Sequence, residues 1–168
     1  NMRGTHYNPE DDPFGYGMDR YDVFKDIYTW NDQNPDYAKT MEYPYISFYQ
    51  IIFNTNEIIN NASNAQEDTE ESIRQIIGEA HALRAYIFFE LVNMYAPIYD
   101  KNTAATVKSV PLYTQIDSEQ SFPKATLQAV YDLILSDIEK AQSLMDVNQQ
   151  VKENKYRFSL ESVYALKS

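Results

Sequence analysis

The chain has 168 residues, 43% of them hydrophobic and 23% charged, enough apolar material for one domain with a real core. Its net charge of −11 argues against nucleic acid as a partner, because a phosphate-binding surface needs clustered Lys and Arg, and disfavours docking on anionic lipid. Zero cysteines exclude disulfides, thiolate metal sites and a Cys nucleophile, and no apolar run is long enough to span a bilayer.

The chain opens on Asn1, with no signal peptide or lipidation cysteine, so a piece of something longer is expected. Residues 1–43 hold "NPEDDPFGYG" and "WNDQNPDY". Three of the seven prolines and three of the four glycines fall there, among Asn and Asp. That composition predicts a long irregular segment packed on the helices, with at most a turn of helix near 21–27.

From Pro44 the period changes. Tyr45, Phe48, Tyr49, Ile52, Asn56 and Ile59 recur every three or four residues, which predicts a first helix over 44–62 with Pro44 in its first turn. A polar link containing "QEDTEE" leads to a second helix over 70–96, stopped by Pro97. On a 100° wheel Ile73, Ile76, Ile77, Ala80, Arg84, Ile87, Phe88, Leu91 and Tyr95 form one stripe. Gly78, Ala82, Ala85 and Phe89 form another on the opposite side, leaving Gln75, Glu79, Tyr86, Glu90 and Asn93 as the polar face. A helix apolar on two sides is sandwiched, and the small residues let one neighbour approach closely.

Residues 98–124 read as loop. A third helix over 126–145 starts at a Thr126 N-cap and carries Leu127, Val130, Tyr131, Ile134, Ile138, Ala141 and Met145 as its stripe. A polar connection leads to Ser159, the cap of a fourth helix over 159–168, whose partner surface is expected in a longer chain. The expected fold is therefore all-α, antiparallel helix pairs in the manner of tetratricopeptide repeats, over 44–168. The consensus tetratricopeptide signature is absent.

Searching for chemistry, we find no phosphate loop, no nucleophile elbow and no H-E-x-x-H. His6 and His81 are far apart, and His81 borders the helical stripe, so it reads as a packed or edge histidine rather than a ligand. Acids in "EDTEES" suit a helix dipole better than a glycosidase pair. No metal, cofactor or enzymatic activity is expected. "DIYTWNDQNPDY" is different: Tyr28, Trp30 and Tyr37 offer aromatic faces for the C–H patches of a sugar. Asn31 and its polar neighbours offer amide and carboxylate groups for the hydroxyls. The competing reading makes Trp30 an anchor that pins the loop onto the helices.

Arg84 sits inside an apolar stripe, and so either snorkels to water or is paired within the core. Core residues on both sides along the stripe favour pairing. The length of the link sets Arg84 level with Phe48 and Tyr49, so Tyr49 is the expected aromatic contact. Asp137, at the edge of the third helix's stripe, is the expected acid, and the pair would be architectural.

"GEAHALRAYIFFELVNMYAPIY" resembles the EA-x-x-x-RA-x-x-x-F-x-L-x-x-x-Y helix of the SusD/RagB family, through Glu79, Ala80, Arg84, Ala85, Phe89, Leu91 and Tyr95. Tyr49, Ile52 and Asn56 resemble its Y-x-x-I-x-x-x-N helix, with Tyr45 where Trp is usual. "VPLY" from Val110 fits its G-V-P-L loop with Ser109 in place of glycine. "KATLQAVYDLILSDIEKA", which contains Asp137, and "FSLESVYALKS" resemble two later segments. In order and spacing the likeness spans Tyr28 to Ser168.

That resemblance implies a surface-exposed outer-membrane lipoprotein that captures a glycan or other nutrient without catalysis, for a SusC-like TonB-dependent transporter. It implies an N-terminal, tetratricopeptide-like portion of a longer protein, touching the membrane through a lipid anchor absent from this chain. It also implies structural roles for Arg84, Asp137 and Asn56. The alternative is a helical scaffold that docks on the transporter and touches no ligand.

Overall fold

The computed structural model describes residues 39–65, 69–115, 122–146 and 156–168. The chain divides into two units, 1–46 and 47–168. Among the described residues there are four α-helices: α1 (Lys39–Asn61), α2 (Glu70–Tyr95), α3 (Leu127–Leu144) and α4 (Leu160–Lys167). A 3-10 turn, Ala62–Asn64, follows α1, and two short strands, β1 (Lys108–Pro111) and β2 (Lys124–Thr126), lie between α2 and α3. The fold is all-α with one small antiparallel ribbon.

The helix ends follow local chemistry. Thr69 caps α2 by accepting from the Ser72 N–H at 3.2 Å, and Glu70 and Glu71 complement the dipole in the first turn. Proline disfavours helical backbone in the residue before it, so Ala96, ahead of Pro97, is extended at φ −122° and ψ 159° and α2 stops. Thr126 caps α3 through the Ala129 N–H at 3.2 Å. Ser159 and Ser162 cap α4 reciprocally.

Two expectations about extent are corrected. Helix α1 begins at Lys39, so Pro44 lies inside it rather than at its start. The first four N–H groups of a helix lack intrahelical partners, and Pro44 sits just beyond them; the helix forgoes one bond there and continues. The stretch read as loop holds the ribbon, pairing Lys108 with Thr126 and Pro111 with Lys124 across an irregular register. Strands this short show no period of two, and Ser109 and Val110 are both buried in succession. The ribbon leads directly into α3. The Leu127 N–H donates to the Val107 carbonyl at 2.8 Å and the Gln128 N–H to the Ala104 carbonyl at 3.0 Å, so two orphan donors of α3 are satisfied. Ser109, standing where the resembling family has glycine, is buried with its hydroxyl unpartnered among the described residues. Such a group costs about 1–3 kcal/mol.

Helix α2 is the centre of the core. Ala80, Ile87, Phe88 and Leu91 are buried on one side, Gly78, Ala82 and Ala85 on the other. Complete burial of a side chain such as Phe88 or Leu91 is worth about 1.5–3 kcal/mol. Ile76, at the edge of its stripe, is exposed. Gln75 is buried, contrary to its place on the polar face. Its Oε1 accepts the Asp146 N–H just beyond α3 at 3.0 Å, and its Nε2 donates to Glu79 at 2.9 Å. Glu79 in turn accepts two bonds from Arg157, both at 2.8 Å, so one polar chain ties α2 to the end of α3 and the approach to α4.

At Gly78 the end of α3 fills the space where a side chain would stand. A Cβ there would stand 2.6 Å from Met145 Cγ and 3.2 Å from Leu144 Cβ. Alanine normally stabilises a helix interior by about 0.5–1 kcal/mol over glycine. Here overpacking of about 1–3 kcal/mol outweighs that gain. Gly78→Ala is therefore expected to lower the urea midpoint; a raised midpoint would mean that the end of α3 slides freely.

Candidate functional site

The residues that sequence marks as ligand contacts, Tyr28, Trp30, Asn31 and Tyr37, lie outside the described residues. Within the described ones, the most concentrated polar chemistry is a cluster at the heart of the helices. Arg84 projects from α2 and donates twice to Asp137 of α3, from Nε to Oδ2 and from Nη2 to Oδ1, both at 2.7 Å. His81, one turn before Arg84, donates from Nδ1 to the same Oδ1 at 2.8 Å. The guanidinium's third direction is taken by Asn56 of α1, whose Oδ1 accepts from Nη1 at 2.6 Å.

The expected contact with Tyr49 is thus replaced by one with Asn56. Tyr49 directs its hydroxyl to the Pro111 carbonyl at 2.9 Å, and its ring meets the edge of Tyr113. The two α1 positions are two helical turns apart, roughly 10 Å at 1.5 Å per residue.

The cluster is sealed. Asn56 is 1% exposed, His81 5%, Arg84 4% and Asp137 0%, so no dissolved substrate reaches these groups, and their chemistry is mutual. Burial, the largest influence, would by itself raise the Asp137 carboxyl. Hydrogen bonds from Arg84 and His81 and their charges outweigh it and hold the carboxyl below its ordinary 3.8.

Two outcomes follow for stability. Asp137→Ala strands a guanidinium that cannot discharge, leaving it Asn56, and should cost about 3–5 kcal/mol. Arg84→Met leaves a carboxylate that can take up a proton and keeps His81, so its loss should be clearly smaller in paired urea melts. Equal losses would overturn this ordering. The pH dependence has a definite sign. Because the folded carboxyl titrates below its unfolded value, its contribution is complete above about pH 4 and fades as pH falls through the lower folded value. Urea midpoints measured from about pH 5 down to pH 2 should fall more steeply for the wild type than for Asp137→Asn; parallel curves would exclude the linkage.

A second group faces solvent. Tyr99, 40% exposed, donates to Gln128 Oε1 at 2.7 Å, and Gln128 Nε2 donates to Asp132 at 2.8 Å. The Tyr99 and Tyr131 rings meet edge to face at 4.8 Å. Periodicity puts Tyr131 in the core stripe and misses this group, although Gln128, Tyr131 and Asp132 share a helix face at spacings of three and four. Its bonds are internal, and it pins the segment after α2 onto α3. Among the described residues no three His, Cys, Asp or Glu side chains gather as a metal site, and no helix is long and apolar enough to cross a membrane.

Comparison with known proteins agrees with this architecture. The pattern of a SusD-like family, described as "Starch-binding associating with outer membrane", matches residues 10–168. A SusD-like protein of Formosa agariphila is 32% identical over 126 residues, covering 72% of this chain and 21% of its own length. A SusD-like carbohydrate binding protein of Bacteroides vulgatus superposes with a TM-score of 0.66 at 26% identity, over 88% of this chain and 29% of that one. A laminarin binding SusD-like protein superposes with 0.61 at 29% identity, over 74% and 24%. This chain thus spans less than a third of each of these relatives. The chain belongs to the SusD-like family.

Proposed function

We propose that this chain is the helical scaffold portion of a cell-surface protein that binds carbohydrate without altering it and presents it to a TonB-dependent outer-membrane transporter. The observation that carries the reading is the family match across residues 10–168, with its description as starch-binding and associated with the outer membrane. The relative described as laminarin binding points to neutral glucans as the ligand class. A net charge of −11 does not oppose an uncharged glycan, and favours one over a polyanion. Membrane attachment through an N-terminal lipid anchor, outside this chain, belongs to the same proposal.

The described helices turn their strongest polar groups inward. Ligand contacts are accordingly assigned to Tyr28, Trp30, Asn31 and Tyr37, in the segment whose composition fits a sugar. The same inward arrangement favours a second reading, in which the described helices touch the transporter and no glycan at all. The two are separated by Trp30→Ala in the full-length protein, tested for retardation in gels containing laminarin or soluble starch. The expected outcome is an affinity loss of about tenfold or more with a melting temperature close to wild type, since aromatic anchors dominate such contacts. Unchanged retardation with a large loss of stability would make Trp30 a loop anchor and favour the scaffold reading.

A further inference from the structure

Among the described residues, the sealed cluster has one exit. Asn56 accepts from Arg84 through Oδ1, and through Nδ2 it donates to the main-chain carbonyl of Tyr113 at 2.9 Å. We infer that Asn56 is a positioning residue, which transmits the arrangement of the Arg84–Asp137 pair to the segment Pro111–Tyr113 and so sets where that segment runs.

Donors and acceptors fix the amide. A guanidinium donates and cannot accept; a carbonyl accepts and cannot donate. Asn56 lies between the two, 1% exposed, and its amide satisfies both in a single orientation. Arg84, itself locked by two bonds to Asp137, dictates which way the amide faces. The amide N–H then selects the position of the Tyr113 carbonyl. Aspartate in the same place would present an oxygen to that carbonyl, and leucine would leave both partners unmet.

The segment is held at a second point by the same helix. Tyr49 donates to the Pro111 carbonyl at 2.9 Å. Helix α1 therefore grips two carbonyls two residues apart, the first at the end of β1 and the second just beyond it. Both grips are on main chain and are indifferent to side-chain identity at the gripped residues. Beyond them the Tyr113 ring packs on Tyr49 at 5.1 Å and on Phe122 at 4.3 Å, which brings the two flanks of the β1–β2 connection together. Of the two grips, the one through Asn56 is connected to the charged cluster.

The test is limited chymotrypsin digestion of the full-length protein under native conditions, with cleavage after Tyr113 followed by mass spectrometry and global stability measured separately in urea. Asn56→Asp keeps an acceptor for Arg84 and removes the donor to Tyr113. Arg84→Lys keeps the charge and removes the fork that orients the amide. Asn56→Asp should speed cleavage after Tyr113 by about fivefold or more beyond what its urea midpoint explains, as expected when a part-buried carbonyl loses its donor, and Arg84→Lys should do so in the same direction by loosening the amide. Tyr86→Phe, outside the cluster, should show no such excess. If Asn56→Asp cleaves at the wild-type rate, or only in proportion to global unfolding, Asn56 does not position the segment. If Asn56→Asp opens the segment and Arg84→Lys leaves it shut, Asn56 acts alone and the link to the charged pair is refuted.

Discussion

A guanidinium buried among apolar side chains constrains everything near it, because it cannot lose its charge and every N–H it turns inward needs an acceptor. Arg84 meets that demand with three bonds from two neighbouring helices, two to Asp137 and one to Asn56. Once Arg84 is committed to the core side of α2, α1 and α3 must both lie close, each at a fixed height. A pair of this kind adds little net stability over a well-packed apolar substitute. Its effect is on register. A slide of α3 by one residue, about 1.5 Å, would leave most hydrophobic contacts serviceable but would break both fork bonds.

That register is held at three levels along α2 and the segment after it. Near its start, the absence of a side chain at Gly78 admits Leu144 and Met145, and Gln75 accepts the N–H of Asp146. In its middle, Arg84 and His81 share Asp137. Beyond its end, Tyr99 reaches Gln128 at the start of α3. As numbers rise along α2 their partners on α3 fall, which is the antiparallel arrangement of a helical repeat. The three contacts differ in kind: steric, ionic and neutral polar. The steric one sets distance, and the directional ones set height.

The parts of this arrangement that sequence reveals are those in which one residue type has few alternatives. Thr126 and Ser159 cap their helices because each precedes a periodic run with a hydroxyl in place. Arg84 and Asp137 are legible as partners because one is a charge inside an apolar stripe and the other a charge at the edge of one, and buried charges pair. What stays hidden depends on distance across the fold. Gln75 looks like a surface residue on any wheel, and its burial comes from the end of α3 passing over it. Asn56 rather than Tyr49 meets the guanidinium, and the height of one helix against the next is something no periodicity records. The ribbon escapes notice because three or four residues are too few for alternation to show, and its stability comes from joining α3 rather than from its own pattern. For Tyr28, Trp30, Asn31 and Tyr37, proposed as ligand contacts, sequence is the whole basis.

The residues that carry the family likeness also explain why relatives can share a fold and differ in ligand. Arg84 and Ala85, with Asn56, Ile52 and Asp137, all point into the core, and Glu79 is spent on Gln75 and Arg157. The five buried ones are not available to a sugar. A pattern built from such residues identifies the scaffold and is silent on the glycan, which agrees with one family description naming starch while one relative is described as laminarin binding. Under the proposed function, specificity belongs to groups mounted on this scaffold. Those groups can change without disturbing the charge pair that holds the helices in register.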